Sequence, residues 1–202
     1  MIVRILWAAG MVVWYFVALR RLSQAPRWTP NAAATALFAT MAGAFLLSRY
    51  GFHAYDSTVA LIGAVFGAFV YLLATRRLAQ WRELLDAGCW AFPFAWIAVR
   101  IGCVFERAHG GIPSHSWLAI TFPDGVSRWD LALLELLWAV AVAGWLLLAK
   151  QPNAAVAVPA TLAAARLAMN PVRIGGPVYL SPAILAIWAV FAWITRPRSQ
   201  KL

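Results

Sequence analysis

Arg100–Arg128, RIGCVFERAHGGIPSHSWLAITFPDGVSR, is the one long polar interlude in a chain that is otherwise a succession of apolar segments. The stretch leaves one apolar run through Arg100 and enters the next after Arg128. Between them it gathers Glu106, Arg107, His109, His115 and Asp124 with Gly110, Gly111, Pro113 and Pro123. Glycine and proline at those densities argue for an ordered, turn-rich loop rather than a spacer, and loops held on a rigid scaffold are where chemistry concentrates.

Working outward, the 202-residue chain as a whole is 63% hydrophobic and only 12% charged, a composition far from that of a soluble domain. It predicts an all-α polytopic membrane protein, one integral membrane domain over residues 1–202 with an outward-facing loop over 104–128. Twelve tryptophans fit, because indole rings favour the boundary between hydrocarbon and water. The net charge of +10 does not point to nucleic acid: the basic residues stand singly or in pairs at the ends of apolar segments and form no stripe. With only Cys89 and Cys103, neither a disulfide framework nor a zinc site is supported. The first apolar segment, Ile5 to Leu19, is followed by Arg20 and Arg21, the wrong side for the charge of a cleaved signal, so it reads as a retained helix.

Seven segments are long enough to span, given that roughly 20 residues cross a hydrocarbon core of about 30 Å. Their expected limits are 3–19, 31–48, 57–75, 84–103, 129–149, 153–170 and 178–195; the sixth is short, Ala-rich and carries Pro159 and Arg166. Alternating these spans puts Arg20, Arg21, Arg27, Arg76, Arg77, Arg82, Lys150, Arg196, Arg198 and Lys201 on one side, ten of the seventeen basic residues. The other side receives Arg4, Arg49, Arg107, Arg128 and Arg173. The positive-inside tendency then predicts an outward N-terminus and a cytoplasmic C-terminus, with the polar stretch facing out. Gly63 and Gly67 in the third span let backbones approach. No internal repeat is visible, which argues against the duplicated architecture of many transporters.

Charged side chains inside the spans cost on the order of 2.5–3.5 kcal/mol on insertion scales, so each needs a reason. Arg100, near the end of the fourth span, suits the fork geometry of phosphate recognition or snorkels to the headgroup region. Arg166, in AAARLAMN, either serves a function or pairs with Glu135 in the fifth span. Both arginines near the outer ends of their spans could converge on one anionic headgroup. Glu135 reads first as a structural counter-ion, and Asp130 as a helix-start residue. In RYGFHAYDST, His53 stands near Asp56 and can act as a base, while Asp56 before Ser57 and Thr58 can also simply cap a helix. His109 and His115 lack a third ligand for metal. Gly110–Gly111 allows either close approach of an anion to backbone N–H groups or a plain tight turn.

Further residues carry a resemblance. Arg100–Ile101–Gly102–Cys103, Gly111–Ile112–Pro113, Trp117 through Phe122–Pro123–Asp124–Gly125, Arg128 and Leu133–Leu134–Glu135 resemble the prolipoprotein diacylglyceryl transferase family in order and spacing. The likeness extends upstream through Glu83–Leu84–Leu85–Asp86 and Ala91–Phe92–Pro93, and downstream to Ala165–Arg166 and Tyr179–Leu180–Ser181. It implies a multi-pass enzyme of the bacterial cytoplasmic membrane. Such an enzyme transfers the diacylglyceryl group of phosphatidylglycerol to the lipobox cysteine of a prolipoprotein signal peptide, releases glycerol 1-phosphate and uses no cofactor.

By the resemblance Arg100 and Arg166 correspond to the family's phosphate-binding arginines and Gly111 to its signature glycine. Cys103 and Glu106 stand where the family has asparagines, Ala108 where it has a glutamate, and the family's His-Gly-Gly motif has only His53 in the corresponding region. The expected catalytic residues are therefore Arg100, Arg166, His109 and His53, with His109 as a replacement base. Arg100, Gly111, Glu106, Glu135 and Arg173 make up the expected substrate-binding set. The departures motivate a second expectation, a relative that binds anionic phospholipid or a lipoprotein precursor without turnover.

Overall fold

The computed structural model describes residues 2–46, 57–107, 109–149, 153–173, 183 and 185–190. Six α-helices are α1 (Ile2–Ser23), α2 (Pro30–Leu46), α3 (Ser57–Ala74), α4 (Trp81–Phe105), α5 (Leu131–Leu148) and α6 (Ala154–Met169). A seventh helical stretch covers residues 185–190, inside the last predicted span. Four segments are long and apolar enough to cross a membrane: Ile5–Ser23, Leu78–Phe105, Leu131–Leu148 and Ala154–Val172. Pro30–Leu46 and Gly63–Ala74 are shorter apolar helices. The short sixth segment does form a helix, with Pro159 inside it. Helix α1 runs past the expected limit because Arg20 and Arg21 occupy its last turn, where cations meet the exposed carbonyl ends.

The expectation of an all-α chain is corrected at the polar stretch. There, β1 (Gly110–Pro113), β2 (Ala119–Thr121) and β3 (Ser127–Asp130) form an antiparallel sheet in the order β1-β3-β2. Hydropathy could not reveal it, because strands of three and four residues carry too little alternation to register. Turn chemistry makes the β2–β3 hairpin: Gly125 takes φ +78°, Asp124 Oδ1 accepts from the Val126 N–H at 3.1 Å, and Arg128 on β3 pairs back to Asp124 in the turn.

The chain divides into two compact units, Trp14–Ala91 and Met1–Val13 with Phe92–Leu202. In the first, α2 and α3 pack backbone to backbone. A Cβ added at Gly43 would stand 2.2 Å from the Gly63 carbonyl oxygen, and one at Gly67 would stand 2.2 Å from that of Ala39. The close approach expected at Gly63 and Gly67 is thus made. The core of this unit includes Ala18, Leu22, Trp28, Leu37 and Leu72. The indole N–H of Trp28 donates to Glu83 Oε2 at 2.7 Å, while the Arg77 guanidinium lies 5.6 Å over the same ring.

The second unit carries the sheet. Its core includes Trp96, Val99, Cys103, Ala132 and Ala139. Asp130, the last residue of β3, is 1% exposed and caps α5, accepting from the N–H groups of Ala132 and Leu133 at 2.8 and 3.2 Å. The Leu131 N–H bonds the His109 carbonyl at 3.0 Å, so β1 is pinned to the start of α5. On its other side β1 meets the 3-10 turn Asn170–Val172 that follows α6, where a Cβ at Gly111 would stand 2.4 Å from the Val172 carbonyl oxygen. The sheet therefore gathers the end of α4, the start of α5 and the end of α6.

Candidate functional site

Arg100 lies five residues before the end of α4, Glu135 four after the start of α5 and Arg166 three before the end of α6. At 1.5 Å per residue these offsets amount to roughly 5–8 Å, so the three side chains sit at a similar depth below the sheet. All are buried, at 8%, 3% and 7% exposure. Arg100 Nη2 pairs with Glu135 Oε2, and Arg166 Nε lies 3.6 Å from Glu135 Oε1, so one carboxylate is shared by two guanidinium groups from different helices.

Trp96, one turn before Arg100, completes the arrangement. Its indole N–H donates to Glu135 Oε2 at 3.0 Å and its ring lies under Arg100, 4.4 Å from centroid to Cζ. A guanidinium over an indole face gains about 1–2 kcal/mol where water is excluded. Arg100 Nη1 also reaches Cys103 Sγ at 3.8 Å, while its Nε is buried with no hydrogen-bond partner among the described residues. The side chain is turned inward onto Glu135 and Trp96, which decides against snorkelling. Counted over these three side chains, two guanidinium charges stand against one carboxylate.

Toward the sheet the charges continue. Arg107 takes φ +52° as it ends α4 and places Nη1 3.9 Å from Asp130 Oδ2. Arg173 follows the Asn170–Val172 turn; it is half-buried, and its Nε is buried without a hydrogen-bond partner among the described residues. His109 is exposed as a residue, yet its imidazole is held below the usual histidine value, first by partial loss of water around the ring and then by Arg100. Arg173 adds to the lowering, while Glu135 and Asp130 oppose it. Neutral at pH 7, the ring can accept a proton.

Of the predicted residues, Arg100, Arg166 and Glu135 come together directly, and His109 lies within electrostatic reach of Arg100, Glu135 and Arg173. Glu106 is exposed just past α4. Gly111 makes its close approach to the chain itself, against Val172 and Trp129, and so seats the segment bearing Arg173 on the sheet. His53, with Tyr55 and Asp56, lies outside the described residues, as do Ala108 and Tyr179–Leu180–Ser181. Among the described residues no cluster of three or more histidine, cysteine or acidic side chains suits a metal ion. Sequence reasoning missed Trp96; the signal was its position one helical turn from an arginine set in an apolar run, where an aromatic ring and a guanidinium meet on one face.

Comparison with protein-family models, with curated proteins and with solved structures finds no match to this chain. The site must be read from its own chemistry.

Proposed function

We propose that this protein is a multi-pass transferase of the bacterial cytoplasmic membrane. It would move the diacylglyceryl group of phosphatidylglycerol to the lipobox cysteine of a prolipoprotein signal peptide and release glycerol 1-phosphate. In this reading the N-terminus and the sheet face outward and the C-terminus is cytoplasmic, following the excess of basic residues on the opposite side. The observation that carries the proposal is the pair of buried arginines on α4 and α6, converging on the one carboxylate of Glu135. Intramembrane charge is costly unless used, and guanidinium is the side chain suited to phosphate.

The reaction balances as a displacement. The acceptor thiol loses its proton, its sulfur bonds the glycerol carbon that carries the phosphate ester, and that carbon's bond to the ester oxygen breaks. The electron pair leaves on glycerol 1-phosphate, where Arg100 and Arg166 offset the developing charge. Neutral His109 takes the thiol proton.

Purified protein given phosphatidylglycerol and a lipobox peptide is expected to form the thioether product, and Arg100→Ala to abolish it. An active Arg100→Ala variant would overturn the role given to Arg100. A second reading, lipid or precursor binding without turnover, is favoured by the engagement of both arginines with Glu135 and by Cys103 and Glu106 in place of the family's asparagines. Release of glycerol 1-phosphate excludes it.

A further inference from the structure

We infer that Glu135 sets the charge of the anion this site accepts, tuning it to a phosphodiester monoanion and against a phosphate monoester dianion. The inference rests on reading the arginine pair as a phosphate site. It goes beyond that reading by assigning Glu135 a selective role in place of a purely structural one.

The geometry gives the reason. Glu135 lies between the two groups that would hold a phosphate, with one oxygen on Arg100 and Trp96 and the other facing Arg166. Its negative charge cancels one of the two guanidinium charges at a depth where water screens little. A diester brings one negative charge and leaves the buried centre neutral. A monoester dianion brings two and leaves an excess negative charge beside a buried carboxylate, which the low dielectric penalises. The donor lipid is a diester and the leaving group a monoester, so the same carboxylate that tolerates the substrate expels the product.

The surrounding groups keep this balance local. On α4, Cys103 touches Arg100, and Arg107 just past the helix end is matched by Asp130 at the start of α5. Arg173, after the turn that follows α6, and His109, before β1, are less buried than the centre. Arg173 adds its positive charge on the side of His109, whose imidazole it helps to keep neutral. His109 adds none while neutral.

The test is equilibrium binding of two water-soluble probes to the full-length protein in detergent. Glycerophosphoglycerol is the diester and glycerol 1-phosphate the monoester. At pH 8 the wild type should bind the diester more tightly. At pH 5, below the monoester's second ionisation at about 6, both probes are monoanions and the difference should shrink. A His109→Gln protein measured in parallel removes any contribution from the imidazole. Glu135→Gln, which keeps a group able to accept from Trp96, should shift the ratio toward the monoester by about tenfold at pH 8 and make glycerol 1-phosphate a stronger inhibitor.

A wild type that prefers the monoester at pH 8, a ratio unaffected by pH, or a Glu135→Gln protein with the wild-type ratio each overturn the inference. The pH comparison needs no variant, so misfolding of Glu135→Gln leaves it decisive. Failure of the diester probe to bind at pH 8 overturns it too, even where transfer occurs. Absence of thioether product with the predicted ratio intact defeats only the transferase reading.

Discussion

Trp96 shows at the scale of one residue how a buried ion cluster is kept in register. Its N–H satisfies the oxygen of Glu135 that also meets Arg100, and its ring supports the guanidinium from below. Trp96→Phe preserves the ring and removes the donor. A hydrogen bond to a charged group contributes about 1.5–3 kcal/mol, so denaturant unfolding should show a loss of that order with transfer activity reduced but not abolished. His109 yields a prediction with a sign. Its folded value lies below the ordinary imidazole range, so the unfolded chain binds more protons as pH falls through about 6.5, and the folded state loses stability there. As a base it works when neutral, so activity should hold through neutrality and fall on an acid limb below the ordinary imidazole value. His109→Gln should abolish that limb; a limb that persists assigns the base elsewhere.

Among the elements, the small sheet acts as the fastener of one unit. Asp130 ends β3 and caps α5 in a single side chain, and its other oxygen faces Arg107. Asp130→Ala should cost about 1–2 kcal/mol through the lost cap, visible as a lowered thermal midpoint in detergent. Gly111→Ala is the sharper probe. A Cβ there overlaps the Val172 carbonyl, which as backbone cannot swing away, so the turn carrying Asn170 and Arg173 must move off the sheet. Activity should fall by at least about tenfold, a 1.4 kcal/mol effect, while helix content measured by circular dichroism stays unchanged. At the hairpin tip, Arg128 and then the Val126 N–H hold Asp124 below the usual carboxylate range. That contribution is present above the ordinary value and is lost as pH falls through the lowered one.

Across the whole molecule, the helices were legible because a run of apolar residues announces itself by composition, needing no knowledge of its neighbours, although four of the described segments are long and apolar enough to cross a membrane. Each predicted segment has a described helix within it, and the glycines of the third span make the close approach that their spacing suggested. The sheet was not legible as strands, since its pairing joins Gly110 to Asp130 and Ile120 to Arg128 through turns whose geometry hydropathy does not encode. The candidate site was half legible. Arg100, Glu135 and Arg166 were each marked by being charged in an apolar run. Their mutual contact depends on which way α4, α5 and α6 turn their faces.

The sequence by itself determined the helical, membrane-suited character of the chain, the position of its polar stretch and the charges set in apolar runs that demand a reason, because transfer of side chains between water and hydrocarbon is a property of each residue. Only the tertiary structure decided that the two arginines meet over one glutamate, braced by Trp96 and held beneath a three-stranded sheet. Those contacts depend on distance and orientation between elements far apart in the chain. The net charge of the buried centre, on which the proposed chemistry turns, is a property of that convergence and of no residue alone.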